Sequence, residues 1–421
     1  MDNSQLFTQA LGLESPWYVK GLQFKESDRT GKKELHIEVD FHRGSKFSCS
    51  VDGCSYTGLS VHDTREKVWR HMNFFEHRCY IHARVPRVKC PDHSTHLVNV
   101  PWAREGSGFT LLMEAYLLEL ASVLSVRAIA SLVETTDTKL WRLIHYYVSE
   151  ARESQDFTEV RSLGVDEYSH RGQNYLTIFI DHNQGVARVL DCEDGRNMRS
   201  IEEFTSYFKM HRGQPEHIRV VTCDMAGGYP NAIGTAFPQA KMIIDTFHVI
   251  KNMNAVVDDV RRRESRMNRL LKGTRYIWLK NKKNLTQAQQ KTFTKINKMN
   301  LRTVKAYQMK LALQDMYQAE TREQAKLSMD ELCSWIMHSN VYEMKRIAKV
   351  LRKHEAEILN YFDNRITNAV LEGLNSIIAL VKRRARGFRN MEYFKTMIYL
   401  SCGKLKLDPL SLVQLPTQFV E

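Results

Sequence analysis

An α/β core interrupted by an all-helical stretch, and preceded by a cysteine-bearing module and a pair of short helices, is the fold class that this 421-residue sequence predicts. Three observations carry it. Short β-branched runs ending in an acid, Ser162-Leu-Gly-Val-Asp166 and Arg219-Val-Val-Thr-Cys-Asp224, alternate with helical spacings from about residue 161 onward. A long basic tract with helical character follows them. Four of the eight cysteines, Cys49, Cys54, Cys79 and Cys90, fall in one segment near the amino terminus.

Composition narrows the partners. With 61 Lys and Arg against 48 acids the chain carries a formal net charge of +13, and 43% hydrophobic residues are ample for several cores. A polyanion fits that balance better than a membrane. No apolar run approaches the roughly 18 residues of a membrane span, and Met1-Asp-Asn-Ser-Gln5 lacks the basic and apolar start of a signal peptide, so a cytoplasmic chain is expected. In a reducing compartment, clustered cysteines argue for metal rather than disulfides.

In chain order, residues 35–41 alternate apolar and polar and predict a strand leading into the metal module. Cys49-x4-Cys54 and Cys90-x2-His93 each present two ligands, the usual route to a tetrahedral structural zinc site in a segment too small for its own core. Cys79, His71, His77 and His82 compete for the same role, although Cys79, between large side chains, reads as packed. This module is expected to span 1–105.

A helical region is expected over 106–155. Leu111, Leu112, Ala115 and Leu118 line one helix side; Ser125 caps a helix over 126–132, and Asp137 caps another carrying Leu140, Trp141, Ile144 and Val148. Helix, turn and helix have the size of a helix-turn-helix, in which Arg127, Lys139 and Arg142 face DNA. An ordinary three-helix bundle gives the same pattern.

The core begins in 156–255. Runs at 163–165, 175–180 and 186–190 predict an antiparallel meander, followed by a helix at 198–210, a strand at 217–223, a short helix at 229–237 and a strand at 241–244. That order is the order of a ribonuclease-H-like fold, whose first and fourth strands are neighbours; Asp166 and Asp224 would then meet at one sheet end. Asp245-x2-His248 follows, as a helix cap with a satisfied histidine or as part of the site.

Residues 256–361 are expected to form a basic helical insertion. From Arg261 to Lys310 there are 16 Lys or Arg against one acid, with Tyr276, Trp278, Phe293 and Tyr307 interleaved, a composition suited to holding phosphate, led by Arg261, Arg262 and Arg263. The core resumes in 362–421 with a helix over 364–382 that puts Asn368, Glu372 and Asn375 on one face, and Lys382 and Arg383 beyond it. Three carboxylates, Asp166, Asp224 and Glu372, form a hard-oxygen set suited to two magnesium or manganese ions and to displacement at phosphorus.

Several longer motifs resemble one family. Trp69-Arg-His-Met-Asn-Phe-Phe-Glu-His-Arg-Cys-Tyr80, Arg84-Val-Pro-Arg-Val-Lys-Cys-Pro-Asp-His93, Val100-Pro-Trp-Ala-Arg-Glu-Gly-Ser-Gly-Phe109, Gly164-Val-Asp-Glu167 and Glu372-Gly-Leu-Asn-Ser376 look like those of the ISL-three family of bacterial insertion-sequence transposases. The resemblance covers nearly the whole chain. It implies a zinc-binding domain, a helix-turn-helix and an interrupted catalytic core of the Asp-Asp-Glu class. Carried over by motif, Asp166, Asp224 and Glu372 become the metal-binding catalytic triad, and Cys49, Cys54, Cys90 and His93 the zinc ligands. Asp245 and His248 match a motif of related transposases, and Lys382 and Arg383 would contact a terminal phosphate. The expected partners are the terminal inverted repeats of an element and its target DNA, bound by a homodimer or larger assembly at the nucleoid. A catalytically silent DNA-binding descendant and a stand-alone nuclease are the rival readings.

Overall fold

Period-2 burial builds the amino-terminal sheet. The computed structural model describes residues 3–28, 30–171, 174–183, 187–225, 229–366, 369–407 and 409. Contacts group the chain into two compact units, one of Met1–Arg152 with Lys382–Thr396 and Leu405–Glu421, the other of Glu153–Val381 with Met397–Lys404.

In the first unit, α1 (Asn3–Ala10) precedes β1 (Trp17–Glu26), β2 (Lys33–Phe41), β3 (Lys46–Phe47), β4 (Leu59–Phe74), β5 (His77–Cys90) and β6 (Ser94–Leu97). The sheet order is β1-β2-β5-β4-β3, with β6 on β5. Leu35, Ile37 and Val39 of β2 and Cys79, Ile81 and Ala83 of β5 share a core with Trp17, Trp69 and Trp102. The strand expected over 35–41 is therefore present, but the metal module is no segment without a core; it sits on a six-stranded sheet. Much of β4 is exposed on both faces, so it lacks the apolar alternation that would have announced it.

Three helices follow: α2 (Leu111–Val123), α3 (Val126–Leu132) and α4 (Asp137–Glu153). Ser125 caps α3 as expected, its Oγ accepting the Ala128 N–H. The cap of α4 is Thr136, whose Oγ1 accepts the Lys139 N–H at 3.4 Å, and Asp137 is the first helical residue. The buried face of α2 also differs from expectation, since Leu112 is exposed while Met113, Glu114 and Leu117 turn inward. Glu114 tolerates burial because three donors reach it: Arg104 Nε at 3.1 Å, Ser107 Oγ at 2.5 Å and Tyr147 Oη at 2.6 Å. Two of them lie in the 100–109 motif, which thereby has a structural purpose. The same unit takes in part of the carboxyl-terminal region: Tyr393 stacks on Trp141 at 4.0 Å, and Phe388 meets the other ring edge-on.

The second unit holds β7 (Ser162–Arg171), β8 (Asn174–Asp181), β9 (Arg188–Asp194), α5 (Met198–Met210), β10 (Val220–Cys223), α6 (Tyr229–Ala236) and β11 (Lys241–Ile244). The sheet order is β11-β10-β7-β8-β9; β7, β8 and β9 run antiparallel, and β10 lies parallel to both β7 and β11. First and fourth strands are neighbours. The fourth is shorter than expected because Pro215 opens a turn of 3-10 helix over Pro215–His217, and the third runs later, with Val186 outside the described residues. Phe179 of β8 stacks on Phe204 of α5 at 3.9 Å, pinning that helix to the sheet.

Beyond the sheet the chain is helical: α7 (Thr246–Glu264), α8 (Arg275–Leu279), α9 (Gln287–Ile296), α10 (Arg302–Met316), α11 (Arg322–His338), α12 (Lys345–Lys353), α13 (Glu355–Asn364), α14 (Ala369–Arg384) and α15 (Met391–Cys402). Here the expected phosphate-facing aromatics are corrected. Trp278, Phe293 and Tyr307 are packed inside the helical core, where burying them contributes more than any surface role, and only Tyr276 faces solvent. Lys310 is buried as well, donating to the carbonyls of Trp278 and Leu279 at 3.1 and 2.8 Å. The helix expected over 364–382 is α14 and begins later, at Ala369, because Asn364 ends the preceding α13, closed by Arg365 at φ 55°.

Candidate active site and metal centre

Two parallel strands, β7 and β10, bring the first two acids to the same histidine. Val220, Val221 and Thr222 pair with Ser162, Leu163 and Gly164; β10 ends at Cys223, so Asp224 leaves its end while β7 runs on through Asp166, and the charges of both acids act on His248. Residues two apart along a strand share a face, so Asp166 stands on the face of Gly164. Gly164 has no room for a side chain: a Cβ there would lie 2.6 Å from His182 Nε2 and 2.7 Å from Ile180 Cγ1. His182 fills that space and reaches Thr222 Oγ1 at 2.7 Å.

Each acid is held. Asp166 accepts the Glu167 N–H on Oδ1 and the Asn375 Nδ2–H on Oδ2, both at 2.8 Å. Burial raises its pKa, the two hydrogen bonds opposing. Asp224 Oδ2 lies 3.4 Å from His248 Nε2, and His248 Nδ1 lies 2.9 Å from Asp245 Oδ2. Asp245 also caps α7 through the Phe247 N–H, so the cap and the site roles coincide. Burial alone would lower the His248 pKa; the Asp245 hydrogen bond and the charges of Asp224 and Asp166 outweigh it and raise the value. Glu167 is raised first by burial, against its 3.6 Å ion pair with Arg196.

Glu372 is exposed in the first turn of α14, three residues before Asn375, and Asn368 lies outside the described residues. Lys382 and Arg383 are not beside the acid: they occupy the last turn of α14, ten residues and about 15 Å along the axis from Glu372. An open cleft of about 350 Å³ beside Asp224 and His248 is lined by Lys251, Lys353 and His354 instead. Sequence reasoning missed these cations. Lys251 had a visible signal, one turn after His248, whereas Lys353 comes from α12 and had none.

Divalent metal fits this donor set. The acids are hard oxygen ligands, Asp166 is half-buried, and Asn375 Oδ1 is buried with no hydrogen-bond partner among the described residues. Because Asn375 Nδ2 donates to the Asp166 carboxylate, the amide orientation is fixed.

The second centre draws Cys49, Cys54, Cys90 and His93 together, all donor atoms within 4.8 Å. Zinc held at about 2.3 Å by sulfur and 2.0–2.1 Å by nitrogen has tetrahedral edges of roughly 3.5–3.8 Å. The cluster offers Cys54 Sγ to Cys90 Sγ at 3.8 Å, Cys90 Sγ to His93 Nδ1 at 3.6 Å and Cys49 Sγ to His93 Nδ1 at 3.7 Å. Burial would raise the Cys90 thiol, but hydrogen bonds from the Asp92 and His93 backbone and the His93 ring bring it down to about 7. The competitors are otherwise engaged. His71 meets Thr110 Oγ1 at 2.9 Å, His82 meets His36 at 2.7 Å, His77 meets the Lys33 carbonyl at 3.2 Å, and Cys79 is buried in the sheet core. His96, unforeseen, places Nε2 3.2 Å from Cys49 Sγ, where it can orient the thiolate.

Of the expected DNA contacts, Arg127, Lys139 and Arg142 are exposed on α3 and α4, and Arg383 is exposed on α14. Arg261 is corrected: it is buried, paired with Asp258 at 2.7 Å and donating to the Leu271 carbonyl. Arg262 and Arg263 are exposed but meet Asp259 and Glu343.

A family model described as transposase matches residues 163–398, more than half of the chain. The chain belongs to transposase family ISL3. The helix-turn-helix domain of transposase family ISL3 matches 98–148, and the zinc-finger of transposase IS204/IS1001/IS1096/IS1165 matches 45–93. Relatives include the transposase for insertion sequence element IS1557 of Mycobacterium tuberculosis, 25% identical over 426 residues and 93% of each chain. The transposase for IS1001 of Bordetella parapertussis is 24% identical over 352 residues, 81% of this chain and 86% of its own. As an ISL3 transposase the chain serves DNA transposition and carries a DNA-binding helix-turn-helix. No helix among the described residues is long and apolar enough to cross a membrane.

Proposed function

We propose that this transposase binds the terminal inverted repeats of an insertion sequence and catalyses metal-dependent strand cleavage and transfer, acting on DNA as a dimer or larger assembly. The observation that carries the reading is one constellation: Asp166 on β7 and Asp224 just past β10 both act on His248, and Asn375, one turn from Glu372, is bonded to Asp166. Its architecture is a ribonuclease-H-like core interrupted by a basic helical insertion. The domains are 1–105, 106–155, 156–255, 256–361 and 362–421, with 382–396 packing in the first compact unit.

Asp166, Asp224 and Glu372 hold magnesium or manganese. When bound, such ions supply an activated water or hydroxyl and stabilise the leaving oxygen in an in-line displacement at phosphorus. Asn375 fixes one Asp166 oxygen, and His248, tied to Asp245, fixes Asp224. Cys49, Cys54, Cys90 and His93 hold a structural zinc. Arg127, Lys139 and Arg142 read the element ends; Arg262, Arg263, Lys382 and Arg383 contact phosphate.

The test is cleavage and end binding measured together in magnesium for Asp166→Asn, Asp224→Asn and Glu372→Gln. Binding should stay near wild type and cleavage should fall by several orders of magnitude in each, without adding in combination. Normal cleavage by Glu372→Gln removes the third acid; loss of binding in all three makes the acids structural. A wild-type chain that binds ends and never cleaves them is the silent descendant.

A further inference from the structure

Between α7 and α8 the chain makes a turn that is anchored at its base and apolar at its tip. Asn268 Oδ1 accepts the Leu270 N–H at 3.0 Å, and Leu271 is fully buried in the helical core. The Leu271 carbonyl accepts Thr274 Oγ1 at 2.7 Å, and Thr274 Oγ1 accepts the Trp278 indole N–H at 3.0 Å. On the entering side, the Glu264 carboxylate accepts the N–H groups of Arg302 and Thr303 at 2.9 and 2.8 Å. So many fixed points hold one shape.

The outward side chains are not those that water selects. Met267 is 91% exposed, Tyr276 60% and Leu270 43%. Single exposed hydrophobics are ordinary; three within ten residues of an anchored turn are a concentration of apolar surface. Arg266, Arg269, Lys272 and Arg275 are interleaved with them, and no acid occurs anywhere in 265–314. Arg275 reaches back to Asp258 at 3.4 Å, whereas Arg266, Arg269 and Lys272 make no ion pair among the described residues. Unneutralised cations select a polyanion. Apolar tips gain nothing from an intact duplex, whose bases are stacked away, and gain from one whose step has been opened.

We propose that this turn is a DNA-distorting wedge: Met267 and Leu270 enter an opened base step, Tyr276 stacks on an exposed base, and Arg266, Arg269 and Lys272 hold the flanking phosphates. The proposal rests on the DNA-processing reading above and adds its ligand, DNA with unstacked or unpaired bases.

The experiment uses the full chain on two element-end duplexes, one fully paired and one with a short mismatched stretch, each carrying 2-aminopurine. Wild type should prefer the mismatched duplex by roughly tenfold and raise the 2-aminopurine fluorescence of the paired one. M267S/L270S/Y276S, all surface changes, should bind both alike and leave the fluorescence flat, with paired-duplex affinity changed less than about threefold. Y276F should keep the preference, and R266Q/R269Q/K272Q should weaken both duplexes together. Equal wild-type affinity for the two duplexes, or equal losses on both in the triple serine variant, overturns the wedge. So does a triple serine variant that breaks an assembly of copies yet keeps the preference, since the patch is then a subunit contact. Wild type that binds neither duplex overturns the DNA reading itself, a separate result.

Discussion

Cys90 ends β5 and belongs to the tighter of the two ligand pairs, so the amino-terminal metal site turns on it. Cys90→Ser should lower bound zinc from one per chain to near none, read by metal analysis of the purified protein, because a serine hydroxyl stays protonated where a thiolate is needed. Unchanged stoichiometry removes the assignment. Which cations are free was the poorest residue-scale reading. Arg261 and Lys310 counted toward the basic excess, yet one is paired and the other buried among carbonyls. Asp258, three residues before Arg261, was a visible hint; nothing local announced that Lys310 points inward.

Among the helices, α9 presents Lys291 and Lys295, with Lys298 two residues past its end, all exposed and without acids nearby in sequence, whereas Arg262 and Arg263 at the end of α7 already meet Asp259 and Glu343. K291A/K295A/K298A should therefore weaken every duplex and lower the slope of log affinity against log salt by about 2.7, roughly 0.9 per phosphate contact. R262A/R263A should lower it less. Changing Arg127, Lys139 and Arg142 to Ala should instead abolish the preference for element ends over random duplex. Salt titrations of binding distinguish the three sets, and an unchanged slope in the α9 variant removes that helix from the interface. Legibility differed in the same way between elements. Helix α5 and β11 match the sequence reading to the residue, α5 because one face is buried with a helical period and β11 because it is a short apolar run between turn residues.

Across the whole molecule, the chain returns to its first unit at Lys382–Thr396, and the Trp141–Tyr393 stack marks the return. Tyr393→Ala should destabilise α4 by about 2 kcal/mol. Hydrogen exchange should show lost protection in α4 with β7 and β10 unchanged. Full protection of α4 in that variant means the stack contributes little.

The sequence by itself determined what repeats locally or is spelled in short motifs. The meander and the alternation after it, both cysteine pairs, the caps at Ser125 and Asp245, and the two acids that close β-branched runs are all set by spacing within a few residues, although β7 runs on five residues past Asp166. Tertiary structure alone decided which distant groups meet. Asn375 reaches Asp166 across 208 intervening residues, and Lys353 joins the cleft beside Asp224 from a helix with no local signal of that destination. It also decided why Gly164 must be glycine, because the ring that excludes a Cβ belongs to His182 on the neighbouring chain run. The physical reason is common to all three: periodicity records which side of an element is buried, and contact partners depend on the packing of elements whose order along the chain does not name their neighbours.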